Sequence, residues 1–147
     1  MRRLLTACAF LSLSSGCLDP GDPLLAVRDT DPPEVQSTKP QANGQIAPDE
    51  PLEIIFSEFM DVRTLRPGIA VFSGRNEVPL SITVPEPSEG DEDTERGDFP
   101  YAVTVRAASG AFTPNSPYTL VLRRMILTDY EGNPFIEEER VPFRTGP

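Results

Sequence analysis

The chain contains no histidine and no tryptophan, and Lys39 is its only lysine. Without histidine there is no imidazole to serve as the base of a serine–histidine–carboxylate triad. Zinc sites assembled from histidine and cysteine are excluded for the same reason. Lys39 is expected in a turn next to Pro40, where its ammonium group should be solvated and poorly placed for catalysis. Cysteine is confined to Cys8 and Cys17, and no glycine-rich phosphate loop is present. No apolar run approaches the roughly 20 residues that a bilayer-spanning helix needs. Positive charge is scarce, with 13 basic residues against 23 acidic ones and a net charge of −10. Such a surface repels phosphate backbones, which excludes nucleic acid as a partner, and has no attraction for anionic lipid.

Proline is what the chain has in excess, 17 of 147 residues, more than twice the usual share of about 5%. Proline cannot donate to a hydrogen-bond ladder, so it collects at turns, edges and linkers. Prolines spread between short apolar runs favour a loop-rich β protein. The length suits one domain.

The first residues read as a targeting segment. Arg2 and Arg3 form a cationic start, and Leu4 to Leu13 supply an apolar stretch of signal-peptide length. Leu13-Ser14-Ser15-Gly16-Cys17 then resembles the lipobox of bacterial lipoproteins, with Gly16 before the cysteine and the leucine at −4 rather than −3. The expectation is a signal peptide over 1–16 and a lipidated Cys17. Cys8 leaves with the leader, so no internal disulfide forms. Loss of Arg2 and Arg3 leaves 11 basic and 23 acidic residues, a net charge of −12. Two or more acyl chains anchor stably, at about 0.8 kcal/mol per buried methylene. The implied location is the cell envelope, lipid-anchored at the outer membrane or the periplasmic face. Residues 17–31 hold the lipidated cysteine and a flexible tether (LDPGDPLLAVRDTD from Leu18) that spans at most roughly 45–50 Å.

From Pro32 onward, apolar residues recur with period two, the mark of half-buried strands. Leu52, Ile54 and Phe56 alternate with Glu53, Ile55 and Ser57. Val78, Leu80, Ile82 and Val84 alternate with Pro79, Ser81 and Thr83. Similar series start at Tyr101 and Tyr118, and Val141 and Phe143 close the set. Shorter candidates are Val35 to Ser37 and Ile69 to Phe72. Turn residues separate them at Pro40 to Gly44, Pro67-Gly68, Gly74 to Asn76, Pro114 to Pro117 and Gly132 to Pro134. The pattern predicts an all-β fold, an antiparallel sandwich of about seven strands. Helix is nearly absent, with one turn expected where Asp61 can cap the amides that follow it.

The same stretch resembles the bacterial immunoglobulin-like domain of the SbsA surface-layer type. Pro33-Glu34-Val35-Gln36-Ser37-Thr38-Lys39-Pro40, followed by Asn43-Gly44, looks like that family's opening. Phe56-Ser57-Glu58-Phe59-Met60-Asp61 resembles its Phe-Ser-Glu-Pro-Met-Asp motif, with Phe59 in place of proline. Tyr118 to Leu122, the turn Asp129-Tyr130-Glu131-Gly132-Asn133-Pro134 and the closing Phe143-Arg144-Thr145-Gly146 match in the family's order. Pro85 to Pro100 is longer and more acidic than the usual turn. The resemblance implies an immunoglobulin-like domain over 32–147 that serves as a structural module, a spacer or a protein-binding module, and no enzymatic activity. It also implies core positions for Phe56 and Met60, a tyrosine corner at Tyr118 and a positive φ at Gly132.

Carboxylates are the remaining chemistry. Glu58 and Asp61 share a loop and could do acid–base work, although capping and pinning the loop is the plainer role. The acidic loop 86–98 offers Asp91, Asp93 and Asp98 as Ca²⁺ ligands, since Ca²⁺ takes six to eight oxygens. Its spacing departs from the EF-hand, because Gly97 falls one residue late. The plainer reading is a solvated loop of repelling charges. The alternative function is a Ca²⁺- or ligand-binding adhesin working through that loop. Asp129, Glu131 and Asn133 could also hold a cation, but an Asp-Gly-Asn turn needs none.

Overall fold

The computed structural model describes residues 29–84 and 100–147. The signal peptide, Cys17, most of the tether, and Asp91, Asp93 and Asp98 lie outside the described residues. Nine strands and one helix are found among those described. In order they are β1 (Val35–Lys39), β2 (Gly44–Ile46), β3 (Leu52–Phe56), α1 (Val62–Gly68), β4 (Ile69–Ser73), β5 (Asn76–Val78), β6 (Leu80–Thr83), β7 (Tyr101–Ala107), β8 (Pro117–Leu122) and β9 (Glu139–Thr145). They form a two-sheet sandwich, one sheet ordered β1-β3-β7-β6 and the other β2-β9-β8-β4-β5.

The period-two runs form strands as expected, and their apolar positions face inward. Leu52, Ile54 and Phe56 of β3 are fully buried while Glu53 is exposed. Val103 and Val105 of β7 and Leu120 and Leu122 of β8 meet them from both sheets. Each such side chain, fully buried, contributes about 1.5–3 kcal/mol. Met60 is buried as well.

Four details differ from the sequence reading. The described residues form nine strands, the three-residue β2 and β5 among them, against the seven or so expected. The sandwich is not wholly antiparallel, since β2 runs parallel to β9 through Gly44↔Phe143 to Ile46↔Thr145. The run Val78 to Val84 is not one strand. It breaks at Pro79, with β5 pairing β4 in one sheet and β6 pairing β7 in the other. Proline has no N–H to continue a ladder, so the chain changes sheets there. Finally, the turn at Asp61 grows into the seven-residue α1, which runs through Pro67 to Gly68. Gly68 is required by close approach, because a Cβ would sit 2.4 Å from Leu127 Cδ2.

Tyr118 behaves as a tyrosine corner. Its hydroxyl accepts the Thr113 amide at 2.8 Å, and its ring stacks on Phe143 at 5.4 Å and meets Phe112 at 5.1 Å. Gly132 adopts φ 92°, the left-handed region that suits glycine. The register Val35↔Phe56↔Tyr101 puts the entry of β1 and the exit of β3 at one end of the sandwich. The last residues, with Gly146 bonded to Ile46, lie at the other.

Candidate functional site

At the end where β1 enters, the exit of β3 meets the turn 129–133. Met60 bridges Asp129 in antiparallel fashion. The Asp61 amide donates to Thr128 O at 3.0 Å and the Tyr130 amide to Phe59 O at 2.9 Å. These backbone bonds join segments that are some 70 residues apart and turn Glu58 inward.

Asp61 and Glu58 therefore have different fates. Asp61 caps α1, accepting the Arg63 amide at 2.9 Å, and pairs with the Arg63 guanidinium at 2.7 Å. That hydrogen-bonded pair holds the Asp61 carboxyl below its ordinary range. Asp61 pins the loop, as expected. Glu58 does not cap. It is 6% exposed; Ser57 Oγ donates to its Oε1 over a long 3.4 Å, and when protonated Glu58 can hydrogen-bond to the Asp129 carboxylate. Its Oε2 is buried without a partner.

Asp129 is fully buried and anchors the turn. Its Oδ1 accepts the Asn133 amide at 2.7 Å and its Oδ2 the Asn133 side-chain amide at 2.7 Å. The same Asn133 nitrogen donates to Asp29 O at 3.2 Å, tying the incoming chain to the turn. Asn133 thus organises Asp129 through its two N–H donors. The three carboxylates brought together are Glu58, Asp129 and Glu131, each with an oxygen within 4.8 Å of the others. The sequence reading placed Asp129 and Glu131 in one candidate set and missed Glu58 as its third member. The signal available was the apolar company of Glu58 between Phe56 and Phe59-Met60, which implies burial.

Burial raises Glu58 most, followed by the charges of Asp129 and Asp29, and its pKa reaches about 7 against an ordinary 4.5. A carboxyl whose folded pKa lies above its unfolded value holds a proton in the native state that the unfolded chain has already lost. Its stability contribution is therefore fully present below about 4.5 and is lost as pH rises through about 7. In chelator, the stability difference between wild type and Glu58→Gln should change in favour of the variant between pH 5 and pH 8. The groups facing Glu58 are Asp129, Asp29 and Glu131, all acidic. Thermal melts at the two pH values measure this, and parallel profiles for the two proteins would refute it.

A depression of about 360 Å³ opens at the sheet change, beside Val78, Pro79 and Leu80. No helix among the described residues is long and apolar enough to cross a membrane.

The sheet order, the tyrosine corner and the turn at 129–133 agree with one family. A family model described as a bacterial Ig-like domain matches residues 29–145. The chain belongs to that family. No curated protein matches it in sequence. Among solved structures, the Ig-like domain is similar to the S-layer protein SbsC at 18% identity and a TM-score of 0.48, over 78% of this chain and 14% of that one. The N-terminal part of SbsC gives 20% identity and a TM-score of 0.47, over 78% and 24%. PcoC, a methionine-rich copper resistance protein from Escherichia coli, gives 18% and 0.50, over 78% of this chain and 99% of that one. At such identity the last likeness is one of fold alone. The Ig-like domain here spans only a small part of the S-layer chains it matches.

Proposed function

We propose that this protein is an envelope-anchored bacterial lipoprotein whose Ig-like domain acts as a structural, spacer or protein-binding module rather than as an enzyme. Membership of the bacterial Ig-like family over residues 29–145 is the observation that carries the reading. Two features support it. The Cys17 lipobox supplies an anchor, and the chain enters the domain at the end opposite its last residues, as a stalk module requires. Partners would be envelope or surface proteins, met by a sheet face or by the loop ends. The alternative, a Ca²⁺-binding adhesin acting through loop 86–98, rests on residues outside those described.

Intact mass and membrane fractionation of wild type and Cys17→Ser, made in a bacterial host, test the anchor. Wild type should begin at Cys17, carry the mass of two or three acyl chains and sediment with membranes. The variant should lose the acyl mass and leave the membrane fraction. A soluble, unacylated wild type would overturn the anchored reading.

A further inference from the structure

We propose that Glu58, Asp129 and Glu131 form a Ca²⁺ site at the end of the domain where the tether enters. Their carboxylate oxygens lie within 4.8 Å of one another. At Ca–O distances of about 2.3–2.6 Å, ligands on opposite sides of one Ca²⁺ stand about 4.6–5.2 Å apart. Three oxygens inside that span can reach a single ion without rebuilding the backbone.

The second, independent observation is Glu58 Oε2. It is buried and has no hydrogen-bond partner, on a side chain 94% removed from solvent, being 6% exposed. A buried polar atom without a partner is costly, and native structures rarely leave one. The charges acting on Glu58 are those of Asp129 and Asp29, both negative. No lysine or arginine pairs with Glu58 or Asp129 among the described residues. Glu58 and Asp129 thus place two buried carboxyls side by side with no lysine or arginine among the described residues paired to either, a setting a bound cation stabilises.

The donor set selects the ion. All three donors are hard carboxylate oxygens, which suit Ca²⁺, Mg²⁺ or Mn²⁺ rather than soft thiophilic metals. Mg²⁺ demands near-octahedral geometry at 2.0–2.1 Å and tighter oxygen spacing, whereas Ca²⁺ accepts irregular sets of six to eight ligands completed by water. Three carboxylates held by a β-strand exit and a turn, with the Asp29 segment alongside, fit the second description. Calcium bound there would join β3, the turn 129–133 and the incoming chain. Affinity is expected in the range of extracellular modules, a Kd of about 10⁻⁴–10⁻³ M.

None of the three carboxylates belongs to loop 86–98, and the test separates the two sets of residues. Calorimetric titration with CaCl₂ at pH 7.5 uses the full chain, kept soluble by Cys17→Ser. It is repeated with Glu58→Gln, with Glu131→Gln, and with Asp91, Asp93 and Asp98 all changed to Asn. Circular dichroism in chelator verifies folding, and Glu131→Gln carries the test should Glu58→Gln misfold. The expected result is one Ca²⁺ per chain in the parent and the loop variant, and binding weakened at least about tenfold in Glu58→Gln and Glu131→Gln. No heat at millimolar Ca²⁺ would overturn the site. So would binding that survives in both cluster variants, or a response to Mg²⁺ equal to that with Ca²⁺.

Discussion

Phe56→Ala should lower unfolding stability by about 3–5 kcal/mol, the range for truncating a large aromatic in a packed core. Phe56 is fully buried. It closes β3 opposite Tyr101 of β7 and Val35 of β1, so its ring is held from neighbouring strands and from the facing sheet. Backbone bonds on both sides of β3 resist collapse around the lost ring, and a cavity remains. Domains of this size are stable by about 5–15 kcal/mol, so the loss takes a third or more of the total in most cases. Urea denaturation measures it as a lower midpoint with an unchanged slope. A loss under about 1 kcal/mol would place Phe56 outside the core.

Asp129→Ala should be the most damaging substitution of a polar residue, at about 2–4 kcal/mol. Two hydrogen bonds of 2.7 Å end on this carboxylate, and bonds to charged groups contribute about 1.5–3 kcal/mol each. Their loss leaves the Asn133 backbone amide without an acceptor and its side chain with only Asp29 O, and releases the turn that carries Gly132. One term opposes the loss, since removing Asp129 takes away a negative charge that acts on Glu58. That relief exists only where Glu58 is ionised. The cost of Asp129→Ala in chelator should therefore be larger at pH 5 than at pH 8. In a Glu58→Gln background the pH dependence of that cost should vanish. A double-mutant cycle at the two pH values reads the coupling directly. Equal costs at both pH values in both backgrounds would mean that the two side chains do not interact.

The pattern of legibility follows from the range of the interactions. Alternation along β3, β7 and β8 is a local property, because successive side chains of a strand face opposite ways. It was readable from Leu52, Ile54 and Phe56 and from their counterparts. The cap at Asp61 is equally local, one side chain bonding an amide two residues on. Strand β2, only Gly44–Ile46, is too short for any period, and its parallel partner lies some hundred residues away in β9. It follows a turn-rich stretch and reads as more turn. The break at Pro79 was masked because Val78, Leu80 and Ile82 keep the alternation across it. Pro79 is the one mark of the break in the letters, and the two different partner strands fix where each half pairs.

The candidate site divides the same way. The turn residues Asp129, Gly132 and Asn133 announced their geometry, and a carboxylate beside them was plain in the letters. The sequence by itself determined the composition of the chain, its lack of histidine, the strand periodicity and the local turns, since composition is read from the letters and the periodicity and turns depend on residues near one another in the chain. Only the tertiary structure decided that Glu58 turns away from Asp61 and towards Asp129. The backbone bonds from Asp61 to Thr128 and from Tyr130 to Phe59 make that choice. Burial then separates a solvated capping carboxylate from one that must find a proton or a cation, and burial is a property of the packed sandwich rather than of any short stretch of chain.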